Sequence, residues 1–285
     1  MGKRKGFTLI EVALFLAVTA ALFIGIALGV NNSIYQQRRN DSVQNFLEFM
    51  RSIYSKVSNP QSQGAGNSGE AIYGKLVVFG ETRDLTNSPI DYSDGSVTPV
   101  FVYDVIGNAT IVESDRNDIV TLLKNQKVSP FNFEYHDGNI IGASMASPEK
   151  YEPRWGAAIE TENNELFEGA VMVVRHPKSG TINTLVSSSV INVNEEYYKA
   201  VEDHSRYSSV LANMLVDLLN NGSLKVEEGE TNFCVNPNGL KVSSGMAPRQ
   251  DIRIEGNVRN ASSVKLIELD DKWSEDNKDG NRCYR

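Results

Sequence analysis

The amino-acid sequence predicts an α+β fold: one long N-terminal helix, a membrane half followed by an amphipathic half, packed on a globular domain built mainly of antiparallel β-sheet. Three observations carry that expectation. Nearly every residue from Phe7 to Val30 is apolar or small. The pattern then turns amphipathic as far as Ser58. From Ala71 onward, short β-like runs recur between turn dipeptides.

The first element is the apolar run, residues 7–30. From Val12 to Val30 the one polar side chain is Thr19. A helix of that length, at about 1.5 Å per residue, spans roughly the ~30 Å hydrocarbon core of a bilayer. The apolar stretch of a cleaved secretory signal is only about 7 to 15 residues long and ends at a small-residue site, so a retained span fits better. Lys3, Arg4 and Lys5 precede the run, and the nearest positive charges after it are Arg38 and Arg39. The positive-inside tendency therefore leaves the N-terminus in the cytoplasm and sends the body across the membrane. Gly25 and Gly29 stand at Gly-x-x-x-Gly spacing, which reads either as a face for close helix approach or as a flexible point.

Glu11 is the anomaly, a carboxylate inside the run. It lies about 6 Å from Phe7 along a helix, near enough to the interface for its side chain to reach water. Alternatively, an ionisable group in a membrane segment marks a functional site whose partner must be named. The residues alone leave both readings open.

The second element, residues 31–58, is the amphipathic continuation. Val43, Phe46, Leu47, Met50, Ile53, Tyr54 and Val57 recur at three- and four-residue steps, with Arg38, Arg39, Asp41, Glu48 and Lys56 between them. That spacing is one face of a helix. Pro60 ends it near Ser58-Asn59, since proline disfavours helix at the preceding residue. The Gly/Ser-rich stretch 61–69, QSQGAGNSG, reads as a loop.

Residues 59–285 form the globular region. Strand-like runs are KLVVFG at 75–80, VTPVFVYDVIG at 97–107, GAVMVV at 169–174 and TINTLV at 181–186. The last two read as a hairpin across a Pro/Gly-containing connection. Asp94-Gly95, Asp137-Gly138 and Asn238-Gly239 supply turns. A further helix is predicted between Asn194 and Asn221: Asn194 caps, Glu195 and Glu196 suit the positive end, and Asn221-Gly222 closes it. Val201, Leu211, Met214, Leu215, Leu218 and Leu219 form its core face. The runs DIRIEGNV and SVKLIEL return to strand. This region divides into one β-rich domain or two, without a decisive linker between them.

Charge excludes one class of partner. The net charge is −8, and once Lys3, Arg4 and Lys5 are set aside from the 28 basic residues, the body is strongly acidic against 36 carboxylates. An acidic body without a basic stripe is not expected to bind nucleic acid. Cys234 and Cys283 are the only cysteines. In an oxidising compartment they read as one disulfide closing a loop of about fifty residues, worth roughly 4 kcal/mol by the chain-entropy argument. In a cytosolic fold they read as two reduced thiols.

Catalytic patterns are sparse. His136, His176 and His204 are isolated, without metal-ligand spacing. Ser144 in GASMA lacks the closing glycine of a nucleophile elbow. A phosphate-binding Gly-x-x-x-x-Gly-Lys-Ser/Thr is missing from the sequence. Glu275, Asn277 and Asp279 alternate before Gly280 in an order that offers oxygens to calcium, but they lack a terminal bidentate glutamate and begin with Glu rather than Asp. The stretch therefore reads as a solvated turn, and no metal, cofactor or enzymatic activity is expected. Trp155 and Trp273 read as core or rim residues, with an adhesive surface as the alternative.

Lys5-Gly6-Phe7-Thr8-Leu9-Ile10-Glu11, behind a basic tail and ahead of a long apolar helix, closely resembles the N-terminal signal of type IV pilins and type II secretion pseudopilins. The resemblance covers about thirty residues. It implies that residues 1–6 are a leader, that a prepilin peptidase cuts after Gly6, and that Phe7 becomes a methylated N-terminus. Glu11 then takes the place of the family's assembly glutamate, paired with the N-terminal amine of a neighbouring subunit. The implied partners are other pilin subunits, the peptidase and the assembly platform in the membrane. The implied location is the cytoplasmic membrane as a single-pass protein, then an extracellular pilus or a periplasmic pseudopilus. A disulfide-bounded C-terminal region is also familiar in pilins. One departure stands out: many pilins carry a proline about two-thirds along the apolar segment, where this chain has Leu28 between Gly25 and Gly29. The large body favours a minor subunit. A signal-anchored extracytoplasmic enzyme or binding protein is the reading from a different class.

Overall fold

The computed structural model describes residues 8–59, 70–79, 100–108, 118–136, 139–146, 148–163, 165–187, 204–227, 229–237, 249–255, 260–267 and 282–283. Its first element, α1 (Leu9–Ser58), is one unbroken helix of 50 residues. It stops at Ser58, as Pro60 predicts, and the Asn59 N–H closes it on the Ser55 carbonyl at 3.0 Å.

The strands form two larger sheets and a hairpin, antiparallel throughout. The main sheet takes β1 (Glu70–Phe79), β2 (Val100–Asn108), β5 (Glu149–Tyr151), β7 (Gly169–Arg175), β8 (Ile182–Ser187) and β9 (Lys225–Val226), in the order β5-β2-β1-β7-β8-β9. The second sheet takes β6 (Ala158–Glu160), β10 (Glu230–Asn236), β11 (Gln250–Glu255) and β12 (Val264–Leu266), in the order β12-β11-β10-β6. The hairpin is β3 (Phe131–His136) with β4 (Asn139–Met145), and the expected turns at Asp94-Gly95, Asp137-Gly138 and Asn238-Gly239 lie outside the described residues.

The main sheet is buried on both faces, which explains why KLVVFG and GAVMVV are continuous apolar runs rather than alternating ones. Leu76, Val78, Tyr103, Val105, Met172 and Val174 point one way. There they meet α2 (Ile119–Asn125), the β3–β4 hairpin and α3 (His204–Asn220), whose Leu211, Met214, Leu215 and Leu219 are buried. Val77, Phe79, Val100, Val102, Val171 and Val173 point the other way, into a core shared with α1 and the second sheet. Register sets this division, since Leu76 pairs with Tyr103 and Met172, and Val77 with Val102 and Val171. Gly74 lets β1 pass close to β7 at a bulge: a β-carbon there would collide with the Val173 carbonyl.

All seven apolar positions of the α1 stripe are buried. Phe46 meets Phe79 and Phe233 edge-on, with ring centroids 6.3 and 5.8 Å apart, and Phe167 packs edge-on against Phe233 at 4.8 Å. Each side chain of this size contributes roughly 1.5–3 kcal/mol on burial. An exposed pair such as Lys56–Glu149 is worth about 1 kcal/mol at most, so apolar packing decides where the helix sits.

Strand boundaries move by a few residues from the expected ones. The GAVMVV–TINTLV hairpin forms as β7 and β8, with Ala170 opposite Ser187. Its connection is closed by His176 N–H on the Thr181 carbonyl and Gly180 N–H on the His176 carbonyl, and Gly180 sits at φ +69°, where glycine is at ease. The C-terminal helix is described from His204 to Asn220, and the expected start at Asn194, with Val201, lies outside the described residues. So do the 61–69 stretch, Trp273, and the Glu275, Asn277 and Asp279 triplet. α2 was not expected. Asp118 caps it by accepting from Val120 N and Thr121 N at 3.0 and 3.2 Å, but seven residues are too few for a periodic signal.

Candidate functional site

The site begins where α1 begins. Thr8 is the N-cap, with extended backbone, and its Oγ1 accepts from Glu11 N at 3.3 Å. Glu11 reaches back: its Oε2 accepts from Thr8 N at 2.8 Å and from Thr8 Oγ1 at 2.9 Å. Two donors at the free end of the helix are thus satisfied reciprocally, and the negative charge sits at the positive end of the helix dipole. Sequence reading missed this use of Thr8. The signal that marks it, Thr-x-x-Glu before an apolar run, stands in Thr8-Leu9-Ile10-Glu11.

From Glu11 as far as Ile26 the helix carries no packed face. The window Leu9–Ile26 has a mean hydropathy of 2.5, and none of it is buried within the chain. Leu9, Phe15, Phe23 and Ile26 all lie open. Thr19 returns its hydroxyl to the Phe15 carbonyl, so the one polar side chain between Val12 and Val30 is satisfied within the helix. The segment has the length and composition to cross a bilayer. No β-carbon at Gly25 or Gly29 would meet another atom, so both are open to a neighbouring helix.

At the second sheet Cys234 and Cys283 are joined, with their Cα atoms 5.4 Å apart. Cys234 lies in β10 opposite Asp251 of β11. Asp251 is fully buried; its Oδ2 accepts from Arg253 Nη2 at 3.1 Å and from Arg282 N at 3.2 Å, beside Cys283. Burial pushes its carboxyl above the ordinary range, against the pull of Arg253 and Arg282. This network buttresses the disulfide.

Among the described residues, no group of three or more His, Cys, Asp or Glu is arranged to hold a metal ion. His176 is buried in the β7–β8 turn, where its Nδ1 accepts from Lys178 N and Ser179 N at 3.3 and 3.2 Å, a turn-fixing role. A cleft of 630 Å³ opens between the end of α1 and β1, lined in part by Lys56, Lys75, Asp104 and Arg175. Lys75 is paired there to Asp104 at 2.6 Å, and Lys56 to Glu149 at 2.6 Å. Gly6 and Phe7 lie outside the described residues.

The fold and site define a protein with one N-terminal helix of membrane-spanning length, joined without a break to an antiparallel β-sheet domain. Comparison of the chain with protein families, with curated proteins and with solved structures gives no match.

Proposed function

We propose that this chain is a type IV pilin-like structural subunit, a minor one, cut after Gly6, methylated at Phe7 and assembled into a filament through its apolar helix and Glu11. One observation carries the reading: the Gly6-Phe7-Thr8-Leu9-Ile10-Glu11 signal opens a helix whose first half is apolar and unpacked while its second half is the spine of a β-sheet domain. An anchor alone needs a membrane-length span but not its rigid continuation into the core. A filament subunit uses both, the span to pack among its neighbours and the continuation to hold the domain outside. The Cys234–Cys283 bond fits a body exposed to an oxidising compartment. The secretion pseudopilus is the variant of this reading in which the filament stays in the periplasm.

Intact mass of the protein recovered from its native membrane tests the reading. The expected chain lacks residues 1–6 and carries one added methyl group at Phe7. A chain still beginning at Met1, or one cut beyond Val30, would overturn it and favour a signal-anchored binding protein or enzyme.

A further inference from the structure

Where α1 leaves its apolar half and enters the domain, an aromatic ring and two arginines stand open. The packed part of the helix begins at Ser42 and Val43, and Arg38 lies one turn before it, exposed. Its guanidinium carbon is 5.1 Å from the centroid of the Trp155 ring. Trp155 is 55% exposed, the one exposed large hydrophobic side chain outside α1 among the described residues. It belongs to the short turn Arg154–Gly156, which packs against α1, and Arg154 is exposed as well.

The backbone holds the ring outward. Trp155 has φ +60° and ψ +23°, and Gly156 follows at φ +71°. A bulky side chain in the left-handed region is unfavourable, and such conformations persist where the surroundings fix them. Here the turn is pinned by buried Pro153 on one side and buried Ala157 on the other, whose N–H bonds the Arg154 carbonyl at 3.1 Å.

Position along the helix supplies the partner. Leu9 to Val30 covers about 32 Å at 1.5 Å per residue, the thickness of the hydrocarbon core, which puts Arg38 about 12 Å beyond its outer edge. The headgroup layer is about 5–8 Å deep. Helical side chains lean toward the N-terminus, so Arg38 reaches back toward that layer, and the Trp155 ring is stacked against its guanidinium. A tilt of about 20°, ordinary for a membrane helix, lowers the side toward which it leans. Tryptophan rings favour this depth, and guanidinium groups pair with phosphate oxygens. The body is otherwise acidic and would be repelled by an anionic surface, so a local basic face selects which side of the domain meets the lipid.

We propose that Arg38, Arg154 and Trp155 form a membrane-interface contact, with the indole in the headgroup layer of the bilayer that holds the span and the two guanidinium groups on lipid phosphates. This rests on the span being in a bilayer, which the pilin and signal-anchored readings share, and not on filament assembly.

The test uses the full chain in vesicles of zwitterionic and anionic phospholipid, with Trp273 replaced by Phe so that Trp155 is the one indole. Lipids brominated near the ester carbonyls are expected to quench most of its emission, and lipids brominated at the chain ends little. The emission is expected to shift to shorter wavelength relative to detergent, and further as the anionic fraction rises. Arg38→Glu with Arg154→Glu is expected to reduce the quenching several-fold. A separate chain carrying Phe23→Trp, with Trp155 and Trp273 both changed to Phe, reports the span and is expected to be quenched by the deep bromines. If Phe23→Trp is quenched but Trp155 stays water-like and unquenched, the contact is overturned while the span stands. Quenching of Trp155 that ignores the arginine changes overturns the phosphate pairing. Failure to quench Phe23→Trp overturns the span and the contact with it.

Discussion

Tyr54 hands its hydroxyl from the long helix to the main sheet, 2.7 Å from Thr184 Oγ1, with both side chains buried. Burial pushes the phenol up to about 12, against the smaller opposing effect of the Thr184 hydrogen bond. In the unfolded chain it titrates near 10, so between the two values the folded state binds more protons. The stability contributed by this group is therefore fully present below about pH 10 and is lost as pH rises toward about pH 12. Tyr54→Phe should remove that share of the alkaline loss and cost about 1–3 kcal/mol at neutral pH, because Thr184 Oγ1 is left a partner short in the core. Urea unfolding of the full chain in detergent, at neutral and alkaline pH, measures both. An alkaline slope equal to that of the unaltered protein would contradict the assignment. Sequence legibility at this scale followed distance along the chain. Thr8 and Glu11 are three residues apart and show their capping pattern, whereas Tyr54 and Thr184, or Asp251 and Arg282, meet only once strand register is set.

Among elements, α1 was the most legible, because an apolar run and an i, i+3, i+4 stripe are local signals and both halves formed as read. β1, β7 and β8 were legible for a related reason, their apolar runs being long enough to stand out. The second sheet was half hidden. Strand-like runs announced β11 and β12, but β6 is three residues long and β10, ETNFCVN, mixes polar side chains into the core strand that carries Cys234. Nor does the sequence show that Phe46, Phe79, Phe167 and Phe233, each from a different part of the chain, share one cluster. The disulfide ties the C-terminal Arg282 and Cys283 onto this sheet, across a separation of 49 residues. Its loss frees the loop in the unfolded chain and withdraws the Arg282 N–H from Asp251. Cys234→Ser with Cys283→Ser should therefore lower unfolding stability by about 2–4 kcal/mol, with the fold retained in the cold. Comparing denaturant midpoints of the variant and the oxidised protein checks this, and coincident midpoints would mean that the sheet holds its tail without the bond.

Over the whole molecule, one rigid helix joins a domain that needs water to a segment that needs lipid or other helices, and Glu11 lies at the end that meets the next subunit in the proposed filament. In the isolated chain its carboxylate is already engaged by Thr8. In the proposed filament, assembly through Glu11 would thus be an exchange, in which an incoming Phe7 amine, a cation with a reference pKa near 8 if unmethylated, competes with a local cap. A cap is worth about 0.5–2 kcal/mol, while an unpaired charge buried among apolar helices costs several, so the exchange favours the ion pair once water is excluded. Two substitutions separate cap from charge. Glu11→Ala removes the charge and the carboxylate half of the capping box, whereas Glu11→Gln keeps an acceptor for Thr8, as capping boxes allow, and removes the charge. Both variants should insert in the membrane and lose residues 1–6, since Gly6 and Phe7 are untouched. If the ion pair directs assembly, both should be depleted many-fold from sheared filaments relative to membranes on quantitative immunoblots. Gln entering filaments as well as the unaltered chain while Ala does not would assign Glu11 to shaping its own helix, and equal entry of both would remove it from assembly altogether.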